Sequence, residues 1–314
     1  KADAGLSGIA TTNIAASSST SLGDSKAFSS LADAAGIQDL TSLTVGGAAT
    51  VVGKAVTSMS ATADNVAGNA SAASELSNNA TLASDIAKIE GFQGGAIGVS
   101  SDASLQGLAQ LSNIATAGTS TGAADAEAFA NQLQGVDLTG MKVGGTANLV
   151  GQASLSNLSS AEAVTGASEA TSQMGLGAQG LVASGTTFDL DGAGAGTVNS
   201  AAGLDISSDA GLTGLASITN NATAKTSAGS VDADAIGTSI QGANLNTVQI
   251  GGVGTIGGQA TYGAKATAEN VNGGSSDALA DLDNASGLVA GAKLNIASDA
   301  TIQGLASITN DALA

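Results

Sequence analysis

The residues in this chain that could do chemistry are almost all carboxylates. Its 314 residues include 26 Asp and Glu against 8 Lys, and no His, Cys, Pro, Trp or Arg. Three pairs of Asp have one residue between their members: Asp189 and Asp191, Asp232 and Asp234, Asp281 and Asp283. Two neighbouring carboxylates suit either the acid and base of a glycosidase or the ligation of a hard cation. The first chemistry needs a platform for the sugar, and the chain has only 1 Tyr and 4 Phe; no enzyme activity is expected. For the second, Asp189 and Asp191 sit in the Gly-rich run 188–196, where carboxylates and backbone carbonyls could hold Ca²⁺. The full calcium-loop spacing is missing, so a solvated turn is the simpler reading, and no other cofactor is expected. The Gly-x-Gly stretches lack the Lys and the strand-to-helix context of a phosphate loop.

Composition excludes further classes. Without His or Cys there is no usual zinc, haem or iron-sulfur ligand set and no disulfide framework. A formal net charge of -18 without Arg removes the electrostatic footprint of a nucleic-acid binder. No apolar run approaches the ~20 residues that span a bilayer, so membrane insertion is not expected. The first residue is Lys, as in a processed mature product, and residues 1–7 do not form a signal sequence. Ordinary acidic disorder is also opposed, because charged residues are 11% and mean hydropathy is +0.25.

What must position these residues is a repeat. Asp102-Ala-Ser-Leu-Gln-Gly-Leu-Ala returns as Asp209-Ala-Gly-Leu-Thr-Gly-Leu-Ala and Asp299-Ala-Thr-Ile-Gln-Gly-Leu-Ala, with a weaker copy at Asp3. Between them stand copies with Gly-Gly in place of the polar pair, near 45, 143 and 250. Val45, Val99, Val143, Ile206, Ile250 and Ile296 mark one anchor position, spaced 54, 44, 63, 44 and 46 residues apart. The chain reads as one continuous array over 1–314, alternating Asp-type and Gly-Gly-type copies.

Within a copy the period is two. Leu43, Val45, Gly47, Ala49, Val51, Gly53, Ala55 and Thr57 fall on one face, and Met141 to Leu155 repeat the pattern. Alternation of that length predicts strand. Copies that cannot close a core alone must stack, which predicts a mainly β protein, a parallel β-solenoid. Short helices are expected on some coils, at 25–35, 84–90 and 124–134, from their capping residues. A leucine-rich-like α/β solenoid is the alternative, resting on Leu-x-Gly-Leu-Ala-x-Leu-x-Asn at 105–113.

The copies from Val143-Gly-Gly-Thr-Ala-Asn-Leu-Val-Gly onward resemble the β-strand repeats of large secreted surface proteins of aquatic bacteria, cyanobacterial ones in particular. The resemblance implies an extracellular or cell-surface location and a structural or adhesive role, and it carries over no catalytic residue. The expected function is a structural subunit of an extracellular filament, sheath or surface layer. Its partners would be copies of itself, joined head to tail through uncapped ends and bundled laterally. A secreted adhesin or an ice-binding solenoid is the alternative. Ile9, Leu108, Leu215 and Leu305 recur at one outward phase, where the Gly-Gly copies carry Lys54, Gln152 and Gln259, and form the candidate lateral interface. Asn69, Asn79, Asn157, Asn221 and Asn284 open Asn-x-Ser/Thr sequons in expected surface loops.

Overall fold

A computed structural model describes residues 2–76, 88–183, 187–189, 197–199 and 204–314. Alternation over nearly twenty positions requires a partner surface of equal length, and the chain supplies it by folding back on itself once per copy. The first coil is β1 (Ala4–Leu22), β2 (Ser25–Leu31) and β3 (Asp33–Val45). The second is β4 (Ala49–Ala67), β5 (Ala70–Leu76) and β6 (Lys88–Val99), and the third β7 (Ala103–Thr121) and β8 (Ala124–Val143). The fourth holds β9 (Ala147–Thr165), β10 (Ser168–Ala183), the hairpin β11 (Thr187–Asp189) and β12 (Thr197–Asn199), and β13 (Leu204–Ile206). Then come β14 (Ala210–Ala228) with β15 (Val231–Ile250), β16 (Gly254–Asn270) with β17 (Ser276–Ile296), and β18 (Ala300–Leu313).

These strands stack into two sheets. The outgoing strands form one sheet in the order β1-β4-β7-β9-β14-β16-β18, parallel and without a register shift. The returning strands β2, β3, β5, β6, β8, β10, β13, β15 and β17 form the facing sheet, also parallel. Only the hairpin β11–β12 is antiparallel. The fold is therefore a mainly β, parallel, solenoid-like stack in which one copy makes one wide coil, each side about 60 Å long at ~3.3 Å per residue. In the two longest copies the extra residues fall, in sequence, between β5 and β6 and between β10 and β13.

Glycine decides the cross-section. Gly53, Gly107, Gly151, Gly214 and Gly258 form an inward row on the outgoing sheet. A Cβ on any of them would overlap the carbonyl oxygen of Gly91, Gly135, Gly180, Gly242 or Gly287 respectively, on the returning sheet. The two sheets thus touch backbone to backbone along a waist, where no side chain fits. On either side of it lie separate cores: one built mainly of Ala with Met59, Leu111, Leu155 and Tyr262, the other of Val, Leu, Ile and Phe92. Gly23, Gly68, Gly122, Gly166, Gly229 and Gly274 turn the chain between sheets with φ between 91° and 149°, a region L side chains avoid.

The structure corrects two expectations about local form. No helix occurs among the described residues: 25–31 is β2, 124–134 lies within β8 and 88–90 begins β6, while 84–87 lie outside the described residues. Ala126, Ala128 and Ala130 are good helix formers, yet all three face the core, and the neighbouring parallel strands supply the backbone bonds. Tertiary pairing overrides propensity there. The alternation from Leu43 to Thr57 is also not one strand. It runs through the turn 46–48, and Val45 and Ala49 bury their side chains from opposite sheets.

Candidate assembly surfaces

The outer face of the outgoing sheet carries the row Ile9, Lys54, Leu108, Gln152, Leu215, Gln259 and Leu305, each opposite the next in register. The four apolar residues expected at one phase do share that row, alternating with polar ones. Ile9 is 69% and Leu305 50% exposed, whereas Leu108 and Leu215 are half-buried by neighbours on their own face. A shallow groove runs beside Leu215 and Leu305, over Gly257 and Gly258.

The outer face of the returning sheet is acidic. Asp125, Glu169, Asp232 and Asp277 sit opposite one another on β8, β10, β15 and β17, with Glu127 and Asp234 two residues along. Burial first, then mutual repulsion, pushes the carboxyls of Glu127, Glu169 and Asp234 above their ordinary range, and burial alone pushes up that of Asp125. The pairs Asp232 with Asp234 and Asp281 with Asp283 lie on strands, where a two-residue spacing puts both members on one face. Sequence reading took the acids pair by pair along the chain and missed this row, because it exists only across strands.

Asp191 lies outside the described residues, and so does Asn79; Asp189 is described for its backbone alone, in β11. Among the described residues no group of three or more Asp or Glu is disposed to hold a metal ion. Of the sequons, Asn69 is exposed at a turn, Asn284 is exposed and Asn221 is half-buried, both of these within strands. Asn157 corrects the expectation of surface loops, since it is 0% exposed. It belongs to an inward ladder with Asn113 and Asn220. Their Nδ2 groups donate across the core to the carbonyls of Phe129 at 3.0 Å, Gln173 at 2.9 Å and Ile236 at 2.7 Å. The acceptor on the opposite sheet is what consumes these amides, and no sequon rule sees it.

The described stack has β1 and β18 as its outermost outgoing strands. β1 and β18 each pair on one side only. Ile302 and Ile308 of β18 are 49% and 53% exposed, while Ile256 and Tyr262, opposite them on β16, are each 1% exposed. Leu6 of β1 is 37% exposed against 2% for Val51 beside it. No family model, curated protein or solved structure matches the chain.

Proposed function

We propose that this chain is a structural subunit of an extracellular filament, sheath or surface layer, joined head to tail to copies of itself through the open ends of the solenoid. The observation that carries the reading is the pair of edge strands, β1 and β18, each paired on one side only among the described residues, with residues of core phase exposed on them. Such edges are templates for another chain, and their two faces differ, so the contact is heterologous and propagates unless it closes a ring. The row of Ile9, Leu108, Leu215 and Leu305 is the proposed contact between neighbouring rods. Sedimentation and negative-stain electron microscopy of the purified chain at rising salt test this. Rods that lengthen with concentration are expected, and a chain that stays monomeric under those conditions sinks the reading.

A second reading, an ice-binding or adhesive face, has one feature in its favour. Ser17, Thr62, Thr116, Ser160, Thr223 and Thr267 form an outward hydroxyl row on the outgoing sheet. Thermal hysteresis that disappears on Thr116→Leu and Thr223→Leu would establish it.

A further inference from the structure

Three times along the array the same two turns meet. Asp3, Asp102 and Asp209 precede β1, β7 and β14, and the Oδ1 of each accepts the backbone N–H of Ala48, Thr146 or Val253 in the next coil, at 2.8 Å in every case. At the middle junction the Thr146 hydroxyl donates as well, at 2.9 Å. These two donors hold the Asp102 carboxyl below its ordinary range. The carboxylate lies directly over the second glycine of the Gly-Gly pair: a Cβ on Gly47, Gly145 or Gly252 would overlap the Oδ1 of that coil's Asp partner. The alternation of copies therefore has a physical cause. An Asp-type turn offers an acceptor, and only a turn without a side chain at that point lets the next N–H reach it.

A fourth acceptor has no such partner among the described residues. Asp299 precedes β18 just as Asp209 precedes β14, and no described coil lies beyond it. Its carboxylate, the free edge of β18 and the exposed Ile302 and Ile308 all belong to one end of the stack.

We propose that this end is a selective joint for a parallel β-strand opened by a Gly-Gly-x turn, with the second glycine under the Asp299 carboxylate and the next N–H donated to it. The proposal rests on the free edge of β18 in the reading above and departs from that reading in the strand it selects. The first coil of a second copy fits the joint less well. Set in register on β18, it would place Ala2 where the glycine belongs and the Asp3 carboxylate beside that of Asp299.

The test titrates the full chain with a dye-labelled peptide of residues 143–165, which carries Gly144-Gly145-Thr146, and with an Asp-type control peptide of residues 102–121. The first should bind at least about tenfold more tightly than the control, as expected of a charge-assisted hydrogen bond. Asp299→Ala in the chain, or Gly145→Ala in the peptide, should each remove that advantage; Asp299 is exposed at a turn, so its variant folds. Sedimentation is run alongside. Equal binding of both peptides, or binding indifferent to Asp299→Ala, overturns the selectivity. If neither peptide binds but the chain still joins end to end, the selectivity fails and the head-to-tail reading stands. If nothing binds and the chain is monomeric, both fail.

Discussion

At the scale of single residues, glycine and asparagine do work that size and hydrophobicity do not describe. Gly151 and Gly257 are both strand glycines of the outgoing sheet: one faces the opposite backbone at the waist, the other faces open space outside. Gly151→Ala should lower the unfolding free energy by about 1–3 kcal/mol through overpacking. Gly257→Ala should raise it by about 0.4–1 kcal/mol, because the unfolded chain loses freedom and the folded one loses nothing. Urea midpoints of the two variants check the sign of each. Asn157→Ala leaves the Gln173 carbonyl without the amide that crosses the core to it, and a loss of about 1–3 kcal/mol is expected in the same measurement. Gln152, adjacent to Gly151 but outward, should tolerate Ala; equal effects at 151 and 152 would contradict the alternation.

At the scale of elements, the returning sheet and the turn of Asp102 respond to acid in opposite ways. Asp125, Glu127, Glu169 and Asp234 have carboxyls raised in the folded state by burial and, for the last three, by neighbouring carboxylates, among them Glu75, Asp232 and Asp277. Their ionisation destabilises the returning sheet at neutral pH. That penalty is relieved as pH falls through the raised values towards the ordinary carboxylate range. Asp102 behaves in reverse. Its carboxyl is depressed by the Thr146 donors, so its contribution is present above the ordinary aspartate value of 3.8 and is lost as pH falls through the depressed one. The thermal midpoint should therefore rise on mild acidification from neutral and fall again below the ordinary range. Asp232→Asn should flatten the rise, and Asp102→Asn the fall, in scanning calorimetry across pH.

At the scale of the molecule, one face of the stack is acidic and the other carries the apolar row, so lateral association between rods has one favourable face. Leu108→Ser with Leu215→Ser should disperse bundles in electron micrographs while leaving the unfolding temperature nearly unchanged. A lower unfolding temperature with bundles intact would show that the row serves its own sheet instead. With a net charge of -18, bundling should strengthen with salt, because screening shortens the reach of the repulsion.

The sequence alone determined the repeat, its two alternating types, the strand period and the shared phase of Ile9, Leu108, Leu215 and Leu305. Each of those follows from spacing along one chain, and stacked identical coils turn spacing into register. Only the tertiary structure decided that a copy makes one coil, that the alternation from Leu43 to Thr57 passes through a turn, and that 124–134 is strand although its residues favour helix. Those depend on which strands come to lie beside each other. The same holds for the glycine waist, the buried Asn157 and the contact of Asp102 with Thr146, whose partners lie 16 to 44 residues apart or more and on different coils or sheets. A carboxylate that meets a side-chain-free turn one coil away leaves a mark in the sequence, Asp in one copy and Gly-Gly in the next. The physical reason for that mark is a steric one, and it is visible only where the two turns touch.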